Sequence, residues 1–140
     1  MGIEGLLRRS SPTVGATWLD HDMGVVIADF LRLTEALPDV RSRDADEWTS
    51  FLVHGRTFGY LWPRTETVGL KQTLAEQAAL VGERPDVFEV QFTTAGFGWV
   101  VVHLQRIDAD ELAELLFEAW RLTAPPSLVS EDLGPPRLPA

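Results

Sequence analysis

From Asp22 the apolar residues Val26, Ile27, Phe30, Leu33 and Leu37 recur at helical spacing until Pro38 stops the run, so a first helix is expected over roughly 22–37. The stretch WTSFLVHGRTFGYLW then alternates, with β-branched and aromatic residues on both sides of His54-Gly55. That pattern reads as two strands joined by a tight turn. PRTET supplies another turn and VGLK a third strand. Thr73 and Glu76 stand at capping-box spacing ahead of LAEQAALV, and Gly82 sits where a helix usually ends, which predicts a short second helix. VFEVQFT and GWVVVHL are the fourth and fifth strands. Asp108 and Glu111 form a second, Asp-led capping box, and Ile107 and Leu112 have the spacing of a hydrophobic staple. Leu112, Leu115, Leu116 and Ala119 make the inner stripe of a last helix.

The order α-β-β-β-α-β-β-α places adjacent strands in blocks rather than alternating them with helices. It predicts an α+β fold of two layers, a five-stranded antiparallel sheet with its helices on one face. Alternation also sorts side chains by face. On the fifth strand Val100, Val102 and Leu104 form one side, and Trp99, Val101 and His103 the other. On the fourth, Phe88, Val90 and Phe92 are expected inward, Glu89 and Gln91 outward; on the third, Val68 and Leu70 inward, Lys71 outward. His103, Trp99, Gln91, Glu89 and Lys71 therefore share the face away from the helices.

Composition narrows the function classes. At 140 residues the chain is one domain with room for a core, and its lack of cysteine excludes disulfides, thiolate zinc sites and cysteine nucleophiles. No apolar run is long enough to span a membrane, and the N-terminus lacks the apolar core of a signal peptide, so a cytoplasmic setting is expected. Residues 1–21 read as an N-terminal extension, 22–123 as the domain, and 124–140, with five of the nine prolines, as a C-terminal tail. The net charge is −9. Residues 32–71 hold six basic and six acidic side chains, whereas 72–123 hold three basic and nine acidic. An acidic second half repels anions, so the total charge is unfavourable for generic binding to phosphate backbones.

Five motifs, LPDV (37–40), FLVHGRTFG (51–59), VGLK (68–71), GWVVVHL (98–104) and DADELAELLFEAW (108–120), stand in an order and at spacings that resemble the MmcQ/YjbR family. The resemblance covers roughly residues 22–122. It implies a bacterial protein with one antiparallel sheet in the same element order, similar to type III secretion chaperones. It also implies the family's DNA-binding label, with no catalytic residues and no cofactor. Members tend to carry lysine after the turn glycine and basic residues after the last helix. Here the turn is Gly55-Arg56 and the last helix runs into Ala124-Pro125-Pro126.

Candidate binding residues follow from these readings. Arg56, Arg64 and Lys71 could line one edge as a basic patch, although ordinary solvated charge is the plainer account. Trp62, with Tyr60, could stack bases beside them, but aromatic strand residues usually belong to a core, and core is the reading taken for this strand. Trp99 and His103 lie on the open face, where a histidine usually just meets solvent or a neighbouring strand. His21, His54 and His103 lack metal-ligand spacing, so no metal site is expected. The acids of the last helix favour its dipole and its solvated side. GFG (96–98) precedes a strand and is no phosphate loop, and no nucleophile elbow marks a serine triad. The chain is therefore expected to be a non-enzymatic binding domain, with nucleic acid as the partner the resemblance implies. The alternative is a protein-interaction or chaperone-like module, or a homodimer formed through the open face, which the acidic charge favours.

Overall fold

The computed structural model describes residues 24–139. Helices α1 (Ile27–Glu35), α2 (Leu74–Glu83) and α3 (Ala109–Arg121) accompany six strands: β1 (Val40–Asp44), β2 (Thr49–Val53), β3 (Arg56–Trp62), β4 (Thr67–Thr73), β5 (Phe88–Thr94) and β6 (Phe97–His103). All six strands pair antiparallel in the spatial order β1-β2-β3-β4-β6-β5. The α+β architecture agrees with the sequence, but the sheet has six strands and not five. The additional strand, β1, reads Val-Arg-Ser-Arg-Asp and is exposed at every residue after the first. An edge strand with neither face buried needs no apolar alternation, so the pattern that reveals other strands is missing from it.

Local chemistry explains most element ends. α1 starts at Ile27, later than expected, because Val26 is its N-cap residue and stands 61% exposed, outside the buried stripe of Phe30, Leu33 and Thr34. The N-terminal extension expected over 1–21 lies outside the described residues. Thr73 Oγ1 accepts the Glu76 amide at 3.1 Å and Asp108 Oδ1 accepts the Glu111 amide at 2.8 Å, which satisfies a free amide at the start of α2 and of α3. Gly82 does not end α2, which continues to Glu83 and caps at Arg84 without a left-handed residue. The β2–β3 and β5–β6 connections, His54-Gly55 and Ala95-Gly96, have positive φ at both positions. That is the turn geometry whose twist matches two antiparallel strands.

The core lies between the helices and one sheet face. Leu112, Leu116, Ala119 and Trp120 of α3 are fully buried with Val68, Leu70, Val100 and Val102, and Phe30 of α1 meets Phe51 of β2 edge-to-face at 5.6 Å. Two polar contacts orient α3: buried Gln72 donates from Nε2 to the Leu115 carbonyl at 2.9 Å, and Trp120 Nε1 donates to the Pro38 carbonyl at 3.0 Å. Beyond α3 the proline-rich segment packs on this core through Leu128, Val129, Leu133 and Leu138. Among the described residues no helix is long and apolar enough to cross a membrane.

α2 packs over the β5–β6 hairpin through Gln77, which donates to the Phe92 carbonyl at 3.1 Å and the Trp99 carbonyl at 2.8 Å. Its stem rests on Gly98, where an added Cβ would sit 2.7 Å from Gln77 Cβ. Gly98→Ala is therefore expected to displace Gln77 and lower stability by about 1–3 kcal/mol. Urea unfolding of the two proteins checks this, and an unchanged midpoint would refute the packing.

Candidate functional site

Cross-strand partners share a face, so the register identifies what the helices leave uncovered. One row runs Arg41, Leu52, Thr57 across β1–β3, and at the same end Lys71, Trp99 and Phe92 cross β4, β6 and β5. The next row is Arg43, Ser50, Tyr60, Gly69, Val101 and Glu89. A third holds Trp62, Thr67 and His103. Trp99, His103, Glu89 and Lys71 thus share the open face, as alternation indicated.

Two bulges rearrange the aromatic residues. In β3 the register steps between Phe51 and Leu52, leaving Phe58 as the extra residue. Phe58 turns into the core, and Tyr60 and Trp62 turn out, against the core reading of that strand. In β5 the step falls at Gln91, so Phe92 faces Trp99 on the open side and Val90 stands at the edge. Of the three β5 residues assigned inward, only Phe88 is buried; Val90 and Phe92 are 55% and 39% exposed. The open face consequently has its own aromatic layer. Tyr60 stacks on Trp62 at 5.8 Å, and Trp99 touches both Tyr60 at 5.5 Å and Phe92 at 5.2 Å. Gly69 makes room for it: an added Cβ there would lie 2.2 Å from Gln91 Oε1 and 3.0 Å from the Trp62 ring. Leu52 and Trp99 are buried without joining the helix-side core, covered instead by side chains of their own face.

The six sequence-derived candidates divide. Arg56 and Lys71 come together at the end of the sheet near the His54-Gly55 turn, with Trp99 beneath them. Partial burial, and secondarily the Arg56 guanidinium, holds the Lys71 ammonium below the ordinary lysine range. Lys71 Nζ lies 4.0 Å from the centroid of the Phe97 ring. Arg64 does not join them. It sits in the β3–β4 turn at the other end and pairs with Glu47 at 3.3 Å, both side chains being largely exposed. Trp62 and His103 also belong to that far end, where His103 Nε2 meets the Glu89 carboxylate. His54 meets Asp39 at 3.2 Å, and among the described residues no three potential ligands cluster as a metal site would require.

Sequence reasoning missed Arg41 and Arg43, whose period-two spacing in VRSRD places both guanidiniums on the open face. They line an open shelf of about 640 Å³ with Leu52 and His54. It also missed how the charge divides. The helices carry Asp29, Glu35, Glu76, Glu83, Asp110, Glu111, Glu114 and Glu118 against Arg32 and Arg121, whereas β1–β4 carry Arg41, Arg43, Arg56 and Lys71 against Asp44 alone. Among the described residues none of those four cations makes an ion pair.

A six-stranded antiparallel sheet, helices on one side and an aromatic, basic face on the other define a small α+β domain with one sheet face that no helix covers among the described residues. The chain belongs to the YjbR family, whose model matches residues 31–122. Its fold is similar to the crystal structure of Deinococcus radiodurans protein DR2400, a DUF419 domain, at 21% identity and a TM-score of 0.63, over 72% of this chain and 79% of that one. No curated protein matches the chain.

Because Trp99 is only 6% exposed, it holds the aromatic layer to the sheet and is a poor probe of binding. Trp99→Ala is expected to cost about 3–5 kcal/mol, as a core aromatic would, and Trp62→Ala clearly less. Denaturant unfolding decides the order, and equal losses would contradict it.

Proposed function

We propose that the domain is a non-enzymatic recognition module that binds single-stranded nucleic acid on its open sheet face. The observation that supports this is a separation of charge: the three helices carry eight acidic against two basic residues, while Arg41, Arg43 and Lys71 lie on the open sheet face and Arg56 stands at its turn end. The unfavourable total therefore does not act where a ligand would sit, since local potential governs encounter. Tyr60, Trp62 and Phe92 add partly exposed rings to the same face. Stacking platforms flanked by basic side chains suit splayed bases better than a closed duplex.

If four cations each neutralise a phosphate, log K should fall with log salt at a slope of about −3 for a single strand. Fluorescence anisotropy of a labelled oligothymidylate across a salt series measures it, and Arg41→Glu with Arg43→Glu should abolish binding. Absence of binding at low salt would remove the reading.

The β5 edge favours a second reading, a protein partner or a second copy of the chain, because Val90 and Phe92 are exposed there on opposite faces. Light scattering should then report a dimer or a complex that Phe92→Ser dissolves. A strict monomer that co-purifies with no partner counts against it.

A further inference from the structure

We infer that the groove at the turn end of the sheet is a binding site for a phosphomonoester carried on a flat organic group. The site goes beyond strand binding, because a free mononucleotide carries the same group as a phosphorylated strand end. The groove is lined by Arg56, Thr57, Lys71, Thr94, Phe97 and Trp99 and closed by Leu122 and Thr123 after α3, with a volume of about 330 Å³. Pockets that hold small ligands run from about 300 to 1,000 Å³.

Three features select the ligand. First, two cations are held side by side, and among the described residues neither has a carboxylate partner. Like charges placed together disfavour the folded state unless an anion completes the arrangement. Second, the pair carries a formal charge of about +2, which a phosphomonoester matches at roughly −1.5 to −2, whereas a phosphodiester supplies about −1. The hydroxyls of Thr57 and Thr94 line the same groove and can donate to the remaining oxygens. Third, one wall is aromatic. Phe97, which is half-buried, holds the Lys71 ammonium against its ring and offers an apolar surface beside the charge, with buried Trp99 supporting the floor. Small-ligand sites combine these parts, a mostly apolar wall with a few fixed polar groups.

Isothermal titration of the full chain with adenosine monophosphate, adenosine and inorganic phosphate, and with an oligothymidylate carrying or lacking a 5′-phosphate, tests the site. The monophosphate should bind saturably, adenosine about tenfold more weakly, and the phosphorylated oligomer about tenfold more tightly than its unphosphorylated form. Lys71→Met and Arg56→Gln should each weaken the monophosphate about tenfold, while Lys71→Arg keeps most of the affinity and Arg64→Gln all of it. Circular dichroism of each variant confirms that it folds. No saturation at millimolar monophosphate, equal binding of adenosine, or indifference to both neutralising variants would overturn the site. Oligomers that bind alike with and without the phosphate would overturn it too, while leaving strand binding intact. Monophosphate binding without oligomer binding would uphold the site and remove the strand reading.

Discussion

The burial of α3 against the middle of the sheet is the contact on which the other layers depend. Its inner stripe meets β4 and β3, Gln72 reaches from the sheet to its backbone, and Trp120 reaches back to the chain just after α1. A buried amide left without an acceptor costs about 1–3 kcal/mol, so these bonds hold the helix in one position and not merely on one face. With α1 beside it and α2 over the β5–β6 hairpin, the helices cover a single side. An antiparallel sheet tolerates this because its second face can remain in contact with water.

That second face is not bare. Trp99 and Leu52 are nearly as buried as core residues, although no helix covers them. The aromatic layer that shields Trp99 is made by residues flanking two bulges, and it forms only because Gly69 lets Trp62 and Gln91 lie close to the backbone. Gln91 Oε1 is buried in this layer without a hydrogen-bond partner among the described residues. The result is a rigid aromatic surface next to a cluster of cations, with the acidic helices turned the other way. Where the charge lies, and not how much there is in total, determines what this face attracts.

Much of the fold was legible along the chain because the interior leaves a periodic trace. The stripe of Leu112, Leu115, Leu116 and Ala119, the alternation of Val100 and Val102, the side-chain N-caps Thr73 and Asp108 and the turn at His54-Gly55 are local signals, and all recur in the structure. β1 left no such trace, since solvent on both its faces demands no apolar residue. The candidate site was half legible. Lys71, Trp99 and His103 were assigned to the correct face by counting in twos, but Tyr60 and Trp62 were not, because a bulge shifts that count by one and nothing local to β3 announces it.

By itself, then, the sequence determined the helix positions, the main strands and a family, through periodicities of 3.6 and 2 that burial imposes on neighbouring residues. Tertiary structure alone decided which distant groups meet. It joined Arg56 to Lys71 across β3 and β4 and left Arg64 with Glu47 at the opposite end, although both arginines stand within nine residues of one another. It also put most of the helices' acids on one layer and Arg41, Arg43 and Lys71, which make no ion pair among the described residues, on the opposite face. These outcomes follow from strand register and from the direction of each side chain relative to the sheet, which are set by packing between elements far apart in the chain and so are written in no single stretch of it.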